Sequence, residues 1–267
     1  MQTIGVKTFI TFPPFRAPNF LFRVVLSLLL ALSALSVNYS STMALESRIS
    51  LQANAIVPSV VMSDNYEDGA KFVDKMCFAA QALDNYSSNY EMAVYKANQT
   101  VNEGGVFAFK KPKLMRVEVE KGPKKGSVAV LALDGKVHGH LGGALKFFRA
   151  AVSPDSDLVK AANGFPMVGT DFYSLADYLK NMLKEGDHSR VSKDTVATSK
   201  TGGVATYVLD MYTTKFGKEL LLKRVYTDPR TFLPVFWEDY IDGKLWSESS
   251  WRGLKTNVDF PENFFKP

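Results

Sequence analysis

Residues 90–120 read YEMAVYKANQTVNEGGVFAFKKPKLMRVEVE, and this stretch decides the class of fold. Tyr90, Met92 and Val94 alternate with Glu91, Ala93 and Tyr95, the period of two that a half-buried strand requires. Asn102-Glu103-Gly104-Gly105 reads as a turn. Val106 to Lys110 then places Phe107 and Phe109 on one face, Pro112 interrupts, and Leu114 to Glu120 opposes Met115, Val117 and Val119 to Arg116, Glu118 and Glu120. Lys121 to Gly126 is a lysine-rich turn, Ser127 to Leu133 a fourth strand, and Asp134-Gly135 a hairpin-type turn. Short strands joined by short turns make an antiparallel meander.

Working outward, residues 64–84 before the meander change period. Phe72, Val73, Met76, Cys77, Ala79, Ala80 and Leu83 recur at three- and four-residue steps, which predicts a helix with Asp64 and Glu67 as its capping box. After the meander, Pro154 to Ala162 reads as a helix stopped by Gly164. Ser174 to Glu185 is a clearer one: Leu175, Tyr178, Leu179, Met182 and Leu183 form its stripe, Ser174 and Asp177 its capping box, and Gly186 its end. Strands return over 190–198, 204–213, 220–227, 233–241 and 244–258. The expected fold is therefore α+β: about nine antiparallel strands and two or three amphipathic helices. One face of such a sheet must be covered, so the sheet is expected to curve over the helices as a half-open β-barrel with an apolar interior.

The chain has 267 residues and a net charge of +5. Lys7, Arg16 and Arg23 lie ahead of the first acid, Glu46, and without them the balance falls to +2, so bulk charge makes no case for nucleic acid. Those bases precede Val24 to Val37, an uncharged apolar run shorter than the roughly 20 residues a spanning helix needs. Residues 1–44 therefore read as a secretory signal peptide, with an uncleaved anchor as the alternative, and 45–63 as a linker to a domain over 64–267. The expectation is an exported protein of the periplasm or cell envelope. Cys77 is the single cysteine, so no internal disulfide can form, and its place on the helical stripe makes it a small buried hydrophobe. Sequons occur at Asn38, Asn85 and Asn98.

Catalytic patterns are scarce. His138 and His140 share a strand face if they lie on one, but no cysteine or carboxylate stands beside them at metal-site spacing, and Gly139 and Gly142-Gly143 suggest a loop. Lys200-Thr201-Gly202 matches one element of the penicillin-binding enzymes, yet no serine has a lysine three residues on, so the tripeptide reads as a turn. Asp155 and Asp157 form a carboxylate pair, but at a helix start, where acids favour the dipole. Nucleophile elbows, zinc helices and phosphate loops are missing from the sequence. Neither enzymatic activity nor a cofactor is expected. The cations between Lys110 and Lys125 are either solvated strand ends or a face toward anionic headgroups or an acidic partner. Methionines on the apolar faces, including Met76, Met92, Met115, Met182 and Met211, suit an adaptable apolar surface.

Two stretches carry a resemblance. Gly105-Val-Phe-Ala-Phe-Lys-Lys-Pro-Lys-Leu-Met-Arg116 with Leu133-Asp-Gly-Lys136 resembles the periplasmic lipoprotein-carrier (LolA-like) superfamily. Val225-Tyr-Thr-Asp-Pro-Arg-Thr-Phe-Leu-Pro234, Asp242-Gly-Lys244 and Asn257-Val-Asp-Phe-Pro-Glu-Asn-Phe264 are similar to that superfamily's uncharacterised branch. The resemblance implies an unclosed barrel with a helical lid, and non-catalytic binding of lipid or lipoprotein acyl chains. On that reading Phe107, Phe109, Met115, Val117, Tyr207, Leu209 and Met211 line the sheet, and Leu175, Tyr178, Leu179, Met182 and Leu183 the lid. The superfamily's lid-closing arginine maps onto Lys111, a point donor without arginine's planar fork. Peripheral membrane contact accompanies this reading. The alternative is an envelope sensor that binds a protein partner over a sealed core, with Trp237, Tyr240, Trp246 and Trp251 as candidate anchors.

Overall fold

The computed structural model describes residues 65–143, 146–147 and 149–266, so the expected signal segment, the whole linker and the cap candidate Asp64 lie outside the described residues. Thirteen strands form one sheet: β1 (Tyr66–Asp68), β2 (Asn85–Lys96), β3 (Gln99–Lys110), β4 (Leu114–Lys121), β5 (Val128–Leu131), β6 (Val137–His140), β7 (Arg149–Val152), β8 (His188–Ser192), β9 (Val196–Ala197), β10 (Ala205–Lys215), β11 (Lys218–Thr227), β12 (Pro234–Ile241) and β13 (Lys244–Thr256). Every ladder is antiparallel, and the order β1-β8-β10-β11-β12-β13-β2-β3-β4-β5-β6-β7 runs open from end to end, with β9 off the path beside β10. Among the described residues two α-helices, α1 (Ala70–Gln81) and α2 (Phe172–Lys184), join the sheet in the α+β architecture expected from the sequence.

Strand alternation separates two faces. Phe107, Phe109, Met115, Leu209, Met211, Val225 and Trp237 share one core cluster with the stripes of α1 and α2. On the opposite face Ala108 and Val130 pack with Phe265, where the C-terminal segment folds back over β3 to β5. Arg116 holds that segment by donating to the Phe264 carbonyl at 3.1 Å and lying 5.0 Å from its ring centroid.

Several local expectations are corrected. The turn expected at Asn102–Gly105 is strand; the chain reverses at Ala97-Asn98 instead, and Tyr90 pairs with Gly105. A Cβ on Gly105 would stand 1.9 Å from the Glu118 carbonyl, so glycine here serves close strand approach at a β-bulge. Gly139 also serves close strand approach, since a Cβ there would stand 2.1 Å from the Val128 carbonyl of β5, and His138 and His140 lie on a strand rather than in a loop. The leading helix starts at Ala70, because Tyr66–Asp68 pairs with β8, and Gly69 occupies the N-cap without a side-chain cap. A side chain at Gly69 would meet Leu209 and Ser189 at under 3 Å. Glu67 therefore caps nothing.

The helix expected at 154–162 is a single 3₁₀ turn, Asp157–Val159, capped by Ser156. Leu158 is exposed, so no apolar stripe offsets the cost of nucleation there. The cap of α2 is Asp171, which accepts from the Ser174 N–H at 3.1 Å; Ser174 Oγ donates to the same carboxylate. Gly186, at φ 104°, follows the end of α2 as expected.

Candidate functional site

The apolar face of the sheet packs against α2. Leu175, Leu179 and Met182 of α2, with Phe107, Phe109, Met115, Leu209 and Met211 of the sheet, are all buried in one continuous core. Val117, Leu183 and Tyr207 are half-buried against it. Tyr178 stands at the rim, 37% exposed, with its ring edge-on to Phe165 at 5.5 Å. The interior surface is thus closed by protein side chains in this state.

Two lysines of the β3–β4 turn make contacts of different kinds. Lys111 reaches Asp84 at 2.9 Å across an exposed surface, beside the exit of α1. Lys113, two residues on, is the cation that meets α2: its Nζ lies 2.6 Å from both Asp171 Oδ2 and Ser174 Oγ. Asp171 is 1% exposed, so this pair joins a buried cap to the β3–β4 turn. Tyr86, at the start of β2, accepts the Phe172 N–H at 2.9 Å through its hydroxyl. Burial pushes the Tyr86 hydroxyl well above its usual range, and the Phe172 N–H opposes that shift without overturning it. The neutral phenol also stacks on Phe172 at 4.7 Å and on Phe109 at 5.4 Å. Residues 85–88 fall before the alternation expected from Asn89, so Tyr86 escapes the sequence reading. A tyrosine two residues ahead of the Ser88-Tyr90 pattern was the available signal.

A polar centre occupies the other half of the same face. Val225 pairs with Trp237 and Lys223 with Asp239, so all four share the concave side. Asp239 accepts from Lys223 at 2.6 Å, from Trp237 Nε1 at 2.8 Å and from Ser247 Oγ at 2.7 Å. Lys223 also lies under two rings, 5.2 Å from that of Tyr178 and 5.9 Å from that of Phe165. Its signal in sequence is the Lys223-Arg224 pair between Leu220-Leu221-Leu222 and Val225. Glu103, in the neighbouring row, is buried; desolvation raises its carboxyl above the ordinary value despite Lys124 and the Tyr90 hydroxyl, which donates to it at 3.4 Å.

The outer face carries a second polar network. Lys200, on the turn between β9 and β10, bonds Glu238 and lies 2.9 Å from Glu248. Burial works against its charge, but the two carboxylates outweigh that and raise its pKa. The lysine-threonine-glycine tripeptide is indeed a turn, and its lysine has a structural partner. His138 bonds Asp134 at 2.8 Å and His188 bonds Glu219 at 2.8 Å, on different parts of the sheet. Cys77 is buried on α1, and burial raises its thiol pKa. Among the described residues no three His, Cys, Asp or Glu side chains gather to hold a metal ion, and no helix is long and apolar enough to cross a membrane.

No family model and no curated protein matches the chain. Solved structures do. A DUF1329 family protein from Desulfovibrio piger is 14% identical over 74% of this chain and 95% of its own, with a TM-score of 0.35. A LolA superfamily protein from Nitrosomonas europaea is 10% identical over 75% and 98%, with a TM-score of 0.40. A chain of the Pseudomonas aeruginosa MucA/MucB complex is 12% identical over 74% of this chain and 60% of its own, with a TM-score of 0.40.

Proposed function

We propose that the protein binds an apolar ligand without catalysis, a lipid or the acyl chains of a lipoprotein, between the concave sheet and α2, and acts as a carrier or chaperone in the cell envelope. One observation supports this above the rest: α2 lays a purely apolar stripe on the sheet, while its N-terminal fastenings to the sheet are polar. Lys113 to Asp171 and Tyr86 to the Phe172 amide are contacts that water can replace once the helix lifts. The strands beneath keep their own ladders when it does. Met115, Met182 and Met211 at the contact repack without a fixed shape. An acyl chain of a dozen carbons contributes roughly 10 kcal/mol of burial, at about 0.8 per CH₂, against the side-chain contacts it displaces.

A second reading, a partner-binding module with a sealed core, draws on the full closure of the interior: Met115, Leu179, Leu209 and Met211 have no exposed surface. The two separate on one experiment. Native mass spectrometry of the full chain isolated from a bacterial envelope, with lipid extraction, is expected to show a co-purifying lipid or acylated species. Uptake of a fluorescent fatty acid is expected to rise several-fold in Lys113→Ala. A clean apo mass, with no uptake by either folded variant, sinks the carrier reading and leaves the sealed module.

A further inference from the structure

Three hairpins turn at the same end of the sheet. The β10–β11, β12–β13 and β2–β3 pairs are consecutive in the order β10-β11-β12-β13-β2-β3, so their tips stand side by side. Lys215 Nζ, on the first tip, lies 3.8 Å from Asp242 Oδ1 on the second. At about 4.8 Å per strand the row is about 24 Å wide. The tips read Lys215-Phe216-Gly217-Lys218, Ile241-Asp242-Gly243-Lys244 and Lys96-Ala97-Asn98-Gln99. They carry four lysines and one acid.

Phe216 is the anomaly. It is fully exposed, at 102%, and adopts φ 51°, followed by Gly217 at φ 71°. Two-residue hairpin turns with both φ positive favour Asn-Gly or Asp-Gly, and the adjacent tip conforms, with Asp242 at φ 49° and Gly243 at φ 73°. A phenylalanine in left-handed backbone carries strain at its Cβ that only packing of its ring can offset. Phe232, the other phenylalanine with positive φ among the described residues, does pack: its ring lies 5.7 Å from that of Phe72. Phe216 gains no such burial within the described fold, so the fold does not account for it. Ile241, on the next tip, is 53% exposed.

We propose that this row of tips docks on an anionic lipid surface, with Phe216 and Ile241 entering the interface and Lys96, Lys215, Lys218 and Lys244 facing the headgroups. An apolar tip ringed by cations is the composition that a bilayer with anionic lipid selects, since the ring buries below the headgroups while each ammonium gains from the surface potential. This docking does not depend on whether the concave face carries a ligand.

The test uses the full chain with phosphatidylcholine vesicles, with and without phosphatidylglycerol. Phe216→Asn installs the favoured Asn-Gly turn, so its thermal midpoint is expected to hold or rise while partitioning into phosphatidylglycerol vesicles falls about tenfold. In Phe216→Trp the introduced indole is expected to shift blue and be quenched by brominated lipid, a readout local to the tip. Replacing Lys215, Lys218 and Lys244 together by Gln is expected to remove most of the phosphatidylglycerol dependence. Unchanged partitioning of Phe216→Asn, an unquenched indole, or a fall of several degrees in the Phe216→Asn midpoint overturns the proposal. So does a lipid-free dimer abolished by Phe216→Asn, which would assign the tips to a second copy of the chain.

Discussion

Lys113 Nζ sits 2.6 Å from Asp171 Oδ2, so the residue that caps α2 is held by a cation from the β3–β4 turn. The contact joins elements 58 residues apart and makes the start of the helix part of the sheet. Lys111, the position that the motif singles out, makes a pair of a different kind: both partners are largely exposed.

The two lysines therefore separate in their effects. Lys113→Ala leaves Asp171 buried without its cation and is expected to cost about 2–3 kcal/mol, because removing one partner strands the buried charge. Lys111→Ala is expected to cost less than about 0.5 kcal/mol, as exposed pairs do. Asp171→Asn keeps an acceptor for the Ser174 N–H and is expected to fall between them. Urea unfolding of the three variants beside the wild type checks the order.

Glu103 provides a pH signature. Its carboxyl is raised by burial, so the folded state holds a proton more tightly than the unfolded chain, and folding loses stability as pH rises above the ordinary value of 4.5. Below that value both states are protonated and the penalty is absent. Glu103→Gln removes the titration. It is expected to stabilise the protein at pH 7 and to leave it unchanged at low pH, which thermal midpoints across that range will show.

On the outer face Glu238 is 1% exposed and shares Lys200 with Glu248. Lys200→Met is expected to destabilise by about 3 kcal/mol, the scale for stranding a buried carboxylate. Lys200→Met with Glu238→Gln is expected to recover more than half of that loss. A double-mutant cycle by chemical denaturation measures the coupling directly.

Gly105→Ala tests the bulge. An added methyl would meet the Glu118 carbonyl at 1.9 Å, an approach only backbone movement relieves, so β3 and β4 must part locally. A loss of more than about 2 kcal/mol is expected. Gly135→Ala, in an open turn at φ 73°, meets no atom within 4 Å and is expected to lose about 1 kcal/mol from backbone strain alone. Comparing the two separates collision from conformation.

The sequence by itself determined what depends on periodicity. Alternation in β3, β4, β10 and β11 and the stripe of α2 place Phe107, Met115, Leu209, Met211, Leu179 and Met182 on facing surfaces, because a period of two or 3.6 is local arithmetic. Glycine was ambiguous at that level: a turn and a close strand crossing both select it, and only pairing with β4 makes Gly105 the second. Asp64 and Glu67 satisfied a capping pattern that β8 overrode by pairing with residues 66–68. The fastening of α2 to the sheet needed tertiary structure altogether. Lys113 and Asp171, or Lys223 and Asp239 under Tyr178, are distant in sequence, and no local pattern states which cation a folded sheet brings to which carboxylate. The strain at Phe216 is also invisible in one dimension. Its residue type and neighbours are printed in the chain, but its positive φ and full exposure belong to the hairpin that β10 and β11 close.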